Sequence, residues 1–198
     1  STALYAGGRF TGSGATILNH IARWTGDGWV SLGSGVDGPV LALAEFQGQL
    51  FVGGTFSVAG TTLASRIARW NGAQWTAVGG GINGNVVAAM QIFDEGYGPS
   101  LFVGGEFTQA GGNNVRNIAR WNGNTWSDVG GGIGGPIRAL EVFSDGTGPA
   151  LYAAGQFTGA GASEAQNISK WTGDEWVSLG PGCGITYQGS VWAVTALR

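Results

Sequence analysis

The sequence is poor in the residue types that build most catalytic and metal sites. Its 198 residues include one histidine, His20, one cysteine, Cys183, and only 11% charged residues. A single cysteine excludes an internal disulfide framework and a cysteine-rich zinc site. One histidine cannot supply a multi-histidine metal site, and one His with one Cys leaves little for nucleophilic catalysis. We therefore predict a non-enzymatic protein with no cofactor and no metal ion.

Basic residues and long apolar runs are scarce as well. Nine basic residues, of which Lys170 is the single lysine, are spread along a chain of net charge −3. Nucleic-acid binding depends on a concentrated basic patch, so we expect no nucleic-acid partner. No apolar run approaches the roughly 18 residues that a membrane-spanning helix needs, so we expect no membrane insertion.

Glycine and tryptophan are abundant instead, with 40 and 9 copies, and they recur at fixed spacing. A pair of small residues is followed 16 residues after its second member by a tryptophan, and a further tryptophan comes five residues later. The four copies are Gly7-Gly8 with Trp24 and Trp29, Gly53-Gly54 with Trp70 and Trp75, Gly104-Gly105 with Trp121 and Trp126, and Ala154-Gly155 with Trp171 and Trp176.

The copies begin at Leu4, Leu50, Leu101 and Leu151, which gives steps of 46, 51 and 50 residues. Periods of this length are typical of propeller blades. We interpret residues 1–198 as a single domain of four repeats, at about 4–49, 50–100, 101–150 and 151–198.

Each repeat predicts four short strands. One such set of four is Val40–Phe46, Leu50–Phe56, Arg66–Trp70 and Gln74–Val78, which are rich in β-branched and aromatic residues. Asn71-Gly72 joins the last two and predicts a tight hairpin. Since no segment has a helical period of apolar residues, the sequence predicts an all-β fold. Four-stranded units of this kind pack best as blades around an axis, so we predict a β-propeller of four four-stranded blades.

Ring closure would need pairing of the two terminal strands. We expect Val191–Leu197 to pair with Ala3–Phe10 and complete a shared blade. Two alternatives stay open, namely a segment of a longer repeat array and an eight-bladed ring formed by two chains.

The repeats resemble the kelch-type repeat, a family of propeller blades marked by an aromatic residue, a double glycine and two later aromatic residues. The second copy has these marks as Phe51-Val-Gly-Gly54 with Trp70 and Trp75. The recurring Ile-Ala-Arg-Trp segment more closely resembles repeats of secreted or cell-surface bacterial proteins and of fungal cell-polarity markers. The resemblance implies a propeller in an extracellular or cell-surface setting that binds proteins. One kelch branch is a copper oxidase, but this sequence lacks the two histidines that such a site requires.

Three further patterns have a structural interpretation that we favour over a functional one. The acidic segments Asp94–Pro99 and Ser144–Pro149 lack the spacing of a calcium loop and are typical of turns. The paired tryptophans could bind sugars, but their fixed spacing favours packing between blades. A basic residue recurs directly before the first tryptophan of each copy, at Arg23, Arg69, Arg120 and Lys170. Its side chain is expected to pack along the blade.

Function is expected where the copies differ. The loops after the second and the fourth strand should emerge on one face, and the last copy is irregular there. The candidate partner surface comprises Asp37, Asn83, Cys183, Tyr187 and Trp192. We therefore expect a non-catalytic extracellular scaffold for protein binding or structural assembly. The alternatives are a carbohydrate-binding module and a filament subunit whose terminal strands pair between chains.

Overall fold

Alternating β-branched and aromatic residues form strands along the whole described chain. The computed structural model describes residues 3–181 and 190–195, and in these residues it contains 22 strands and no helix. The expectation of an all-β fold is confirmed. Because the described part has no helix, it has none that could cross a membrane.

The strands form four main sheets in chain order, all of them antiparallel. The first sheet contains β1 (Leu4–Gly7), β4 (Ile21–Trp24) and β5 (Trp29–Ser31), in that order. The second sheet contains β6 (Val40–Phe46), β7 (Gln49–Gly54), β10 (Ile67–Trp70) and β11 (Trp75–Ala77).

The third and fourth sheets repeat the arrangement of the second. The third contains β12 (Ile82–Asp94), β13 (Pro99–Ala110), β15 (Ile118–Trp121) and β16 (Trp126–Ser127), with β14 (Asn113–Asn114) paired to β13. The fourth contains β17 (Ile137–Ser144), β18 (Pro149–Gly155), β21 (Ile168–Trp171) and β22 (Trp176–Ser178).

Three two-stranded ribbons directly follow β1, β7 and β18 in the chain. They are β2 (Gly12–Ser13) with β3 (Thr16–Ile17), β8 (Val58–Ala59) with β9 (Thr62–Leu63), and β19 (Gly159–Ala160) with β20 (Ser163–Glu164).

The edge strands β6, β12 and β17 are called the innermost strands of their sheets below, and the first sheet has no equivalent among the described residues. The strand expected over Val191–Leu197 is not formed in its described part, because residues 191–195 belong to no strand and pair with nothing in β1. Residues 196–198 lie outside the described residues. The expected closed ring is therefore absent from the described structure, which contains three sheets with a complete set of strands and one sheet without its innermost strand.

The hydrophobic core lies between consecutive sheets. One cluster joins the first and second sheets, another the second and third, and another the third and fourth. The second tryptophan of each later copy donates its indole N–H to a carbonyl of the preceding sheet. These bonds are Trp75 to Leu32 at 2.8 Å, Trp126 to Val78 at 3.3 Å and Trp176 to Val129 at 2.9 Å.

The double glycine is explained by close packing on both sides of the second strand. A Cβ on Gly53 would collide with Val87 of the next sheet, and one on Gly104 would lie 2.6 Å from Ile137 Cγ2. A Cβ on Gly54 would collide with the carbonyl oxygen of Pro39, next to the innermost strand of its own sheet. Glycine is required here because the backbones and neighbouring side chains approach too closely for any side chain.

The hairpin at Asn71-Gly72 is present, but Asn71 acts differently from the expectation. Only Gly72 has a positive φ, of 100°. The side-chain oxygen of Asn71 accepts hydrogen bonds from the N–H groups of Ala73 and Gln74, at 2.9 and 2.8 Å. The turn is therefore a four-residue loop held by an Asx-type bond.

Replacement of Gly79 tests the packing between sheets. A Cβ at Gly79 would collide with Trp121 Cζ3 and lie 2.7 Å from Trp126 Nε1, whereas one at Gly14 would meet nothing within 4 Å. The two residues have similar φ angles, 51° and 58°. We expect Gly14→Ala to lower the free energy of unfolding by about 1 to 2 kcal/mol through backbone strain alone, and Gly79→Ala by about 2 kcal/mol more. Urea unfolding of both variants measures the difference, and equal losses would contradict this account of the packing.

Candidate functional site

The loops after the second and fourth strands meet at each junction between sheets. Gly60 donates its N–H to the Gly35 carbonyl at 2.8 Å, and the same contact recurs from Gly111 to Gly81 at 2.9 Å. Isolated β-bridges join Val36 to Ala59 and Ile133 to Ala160. These contacts bring the two sets of loops together, and the surface they form is called the loop face below.

Asp37 lies on the loop face at the junction of the first and second sheets. Its side chain is exposed, and its Oδ1 accepts hydrogen bonds from the N–H groups of Ser57 and Val58, at 2.7 and 2.8 Å. One carboxylate oxygen therefore anchors the following loop.

Asn83 lies at the next junction, between the second and third sheets. Its amide donates to Gln109 Oε1 at 3.1 Å, and the Gln109 amide donates to Asn114 Oδ1 at 3.2 Å. Asn83 and Gln109 line a polar cleft of about 300 Å³. Arg66 also lines the cleft, but its guanidinium is bound to the carbonyls of Gly84 and Phe56, at 3.0 and 3.1 Å. The exposed polar groups of the cleft are therefore mainly amides, which suit hydrogen bonding to a protein backbone.

Trp192 lies elsewhere, beside the innermost strand of the fourth sheet. It is 70% exposed, and the guanidinium carbon of Arg138 lies 5.1 Å from its ring centroid. Arg138 is the extra residue of a bulge in β17, and Leu41 and Ala88 are the corresponding extra residues in β6 and β12. The preceding residue, Val191, donates its N–H to the Gly155 carbonyl at 2.9 Å.

The expected partner surface is thus not a single site in the described chain. Asp37 and Asn83 occupy different junctions of the loop face, and Trp192 packs on Arg138. Cys183 and Tyr187 lie outside the described residues.

His20 occupies a backbone position that is unusual in every copy. Its φ is 72°, and the corresponding residues Arg66, Asn117 and Asn167 have φ values of 63°, 61° and 64°. The Asn117 amide shows what this position does, because it accepts from the Phe107 N–H at 3.1 Å and donates to the Ile133 carbonyl at 2.8 Å. His20 Nδ1 is buried without a hydrogen-bond partner. The position holds neighbouring loops together, and this is a structural role.

Two charged clusters lie at the hairpins between first and second strands, and sequence reasoning did not assemble them. In the third sheet, Glu95 forms an ion pair with Arg120 and accepts a hydrogen bond from Trp171 Nε1 of the fourth sheet at 2.5 Å. In the fourth sheet, Lys170 Nζ lies 2.7 Å from Asp145 Oδ2 and 2.8 Å from Thr147 Oγ1. The signal was present as an acidic hairpin residue and a recurring basic residue, but their contact becomes visible only in three dimensions.

The Lys170 cluster shifts the protonation of its members. The hydrogen bond from Lys170, aided by Thr147, holds the pKa of Asp145 well below its ordinary value of 3.8. The same bond raises the pKa of Lys170. The pKa of Tyr152 is raised by burial first and by its hydrogen bond to Asp145 second. All three groups keep their ordinary charges at neutral pH, which is the behaviour of a structural ion pair.

Nothing in the described residues assembles a metal site. No group of three or more His, Cys, Asp or Glu side chains lies close enough there to hold an ion. Asp94, a residue of the expected turn, accepts from the N–H groups of Gly96 and Gly98 at 2.7 and 2.9 Å. This carboxylate is used to shape its own hairpin.

No family model matches the chain, and no curated protein matches its sequence.

Replacement of Lys170 tests the ion pair. In Lys170→Met we expect the pKa of Asp145 to rise toward 3.8, because the main group that favours the carboxylate is lost. Since the pKa of Asp145 is lowered in the folded state, its contribution to stability is present above the unfolded pKa and disappears as pH falls. Carbon-detected NMR titration of the carboxylate measures the shift. Arg120→Met, which removes the equivalent base in the third sheet, is the control, and an unchanged Asp145 titration in Lys170→Met would contradict the assignment.

Proposed function

We propose that the chain is a non-catalytic, extracellular β-propeller scaffold for protein binding or structural assembly. The main support is that the repeated residues are used in packing between sheets. The second tryptophans bind carbonyls of the preceding sheet, and the glycines make room for neighbouring side chains and backbone. Residues that serve every junction are explained by the architecture, which leaves the variable loops for recognition.

In this proposal the four sheets are blades, as the kelch-like repeats suggest, and a ring is closed when the segment that begins at Val191 adds to the free edge of a β1 strand, in the same chain or in a second copy. The N–H of Val191 binds the carbonyl of Gly155 at 2.9 Å, and the N–H of Val40 binds that of Gly8 at 3.2 Å. Val40 begins the innermost strand of the second sheet. Val191 thus occupies the place where the innermost strand of a following blade begins, and the first sheet is the one without such a strand.

The proposed binding surface is the loop face. Asp37 and Asn83 are exposed there, and the amides of Asn83 and Gln109 line a polar cleft. Loops on a rigid scaffold are common sites of recognition. The extracellular setting is proposed from the resemblance of the repeats alone.

Hydrogen exchange tests the closure of the ring. We expect the β1 amides (Leu4–Gly7) to exchange slowly in the full chain, because an added strand would pair with the free edge. A chain ending at residue 190 is the control, and its β1 amides should exchange faster while those of β7 (Gln49–Gly54) are unchanged. Equal β1 exchange in both chains would mean that no strand is added and that the propeller proposal fails.

A second candidate, carbohydrate binding, is favoured by one groove. Trp70 and Trp75 line a groove of about 400 Å³ together with Thr62 and Gln74. Sugars stack on aromatic rings, and Trp70 is only half-buried. However, Trp75 is buried and its indole N–H is already bound to Leu32.

Tryptophan fluorescence distinguishes the two candidates. Under the scaffold proposal we expect no saturable shift with a panel of oligosaccharides. A saturable shift that is abolished by Trp70→Ala and retained in Asn83→Ala would favour the carbohydrate candidate. Asn83→Ala is a suitable control because it lies on the loop face, outside the groove.

A further inference from the structure

The first sheet has an apolar cleft on the face that no other sheet covers. The cleft has a volume of about 310 Å³. It is lined by Ala6, Phe10, Gly12, Ser13, Leu18, Ala22 and Trp29. In the next copy the corresponding apolar residues are Val52, Phe56, Ala64, Ala68 and Trp75, and all of these belong to the cluster that joins the first and second sheets. Ala6, Phe10 and Trp29 are partly exposed in the cleft, whereas Leu18 and Ala22 are buried. The cleft is therefore the less covered version of a surface that is buried at the internal junction.

Leu32 is part of what covers that surface at the first internal junction. It belongs to the same cluster, and its carbonyl accepts the indole N–H of Trp75. Leu32, Val78 and Val129 hold this position before the three internal junctions and are 3%, 0% and 2% exposed. In the last copy the position is Leu179, which is 38% exposed. Leu179 is thus the side chain whose partner surface is missing.

Two other features of the last sheet agree with the exposure of Leu179. Gly33, Gly79 and Gly130 lie against the tryptophans of the sheet that follows, but a Cβ at Gly180 would meet nothing within 4 Å. Phe143 is 43% exposed, whereas its counterparts Phe46 and Phe93 are 3% and 6% exposed. The last sheet therefore presents the complementary half of the same junction.

We propose that the first sheet of one copy packs on the last sheet of a second copy, in the register of the internal junctions. Leu179 enters the cleft, its carbonyl accepts the indole N–H of Trp29, and residues 191–195 add to β1 of the partner copy. This inference rests on the proposed function and names its partner. Two such contacts close a ring of eight sheets from two chains.

A second copy is the chosen occupant because the two faces do not meet among the described residues of one chain. The described residues contain three apolar clusters, and each joins two consecutive sheets. None of these clusters unites the fourth sheet with the first. The faces are continuous with the internal junctions in residue type and position, so they fit each other better than an unrelated partner.

Light scattering after gel filtration is the first test. We expect a particle of twice 20.2 kDa. A longer head-to-tail assembly would also support the contact, because head-to-tail interfaces form open filaments when their rotation does not close a ring. A monomer over the whole concentration range would overturn the inference.

Leu179→Asp tests the surface itself. An aspartate would have to be buried in the apolar cleft, so we expect association to weaken by about 100-fold or more. The matched control is Val177→Asp, two residues earlier in β22. Val177 is 37% exposed, but its counterparts Thr76 and Ser127 are polar and only partly buried. Association should survive in Val177→Asp, and its survival in Leu179→Asp would overturn the proposed surface.

Mixing two variants tests the head-to-tail arrangement. Ala6→Glu places a charge in the cleft of the first sheet, whereas Leu179→Asp alters only the last sheet. Each variant alone should be monomeric, but their mixture should form a heterodimer through the one unaltered pair of faces. No heterodimer from the two folded variants would overturn the arrangement.

The hydrogen-exchange result separates this inference from the proposed function. A monomer with slowly exchanging β1 amides would retain the closed propeller and reject only the second copy. A monomer with rapidly exchanging β1 amides would reject both. Circular dichroism in the near ultraviolet confirms that each variant retains its tryptophan packing.

Discussion

The junction between consecutive sheets is the interaction on which the rest of the structure depends. A tryptophan indole donates to a carbonyl of the preceding sheet, and a glycine beside that carbonyl makes room for the ring. A sheet of three or four short strands cannot bury enough apolar surface by itself, so each one is stabilised by its neighbours. The unusual composition follows from this, because each junction uses the same tryptophans and glycines.

The first sheet also differs from the others at one backbone position. The residue directly before β4, β10, β15 and β21 has a positive φ in every copy, but its side chain differs between copies and so do its hydrogen bonds. Asn117 satisfies two backbone groups of its surroundings, and Arg66 binds several carbonyls. His20 leaves Nδ1 buried without a partner. The first sheet, which has no sheet packed before it, also contains the least satisfied of these residues.

The repeat and its strands could be predicted from the sequence because they depend on local signals. The spacing of Gly53-Gly54, Trp70 and Trp75 located the second, third and fourth strands of the second copy to within about two residues. The structural role of the two glycines was harder to predict. Gly53 and Gly54 lie within a strand and permit close packing against neighbouring strands and sheets, which their spacing in the sequence does not show.

The site was harder to predict because it depends on contacts between copies. Asp37 and Asn83 are both exposed, but the sequence could not show that they lie at different junctions. Trp192 was grouped with them, although it packs on Arg138. Ring closure could not be decided either, because a strand has the same pattern whether its partner belongs to its own chain or to another.

The two uncovered faces differ from those of a capped repeat array. Terminal repeats of isolated arrays normally present polar outer faces, since an apolar one would be exposed to water. Here Leu4 remains apolar and exposed in the first sheet, as do Phe143 and Leu179 in the last copy. Leu4 corresponds to Leu101 and Leu151, which are fully buried. Retaining the junction residues at both ends costs solubility unless the faces are covered, and each face is shaped to receive the other. A scaffold with such ends is suited to join further sheets of its own kind, and assembly is then a property of the same interaction that folds each chain.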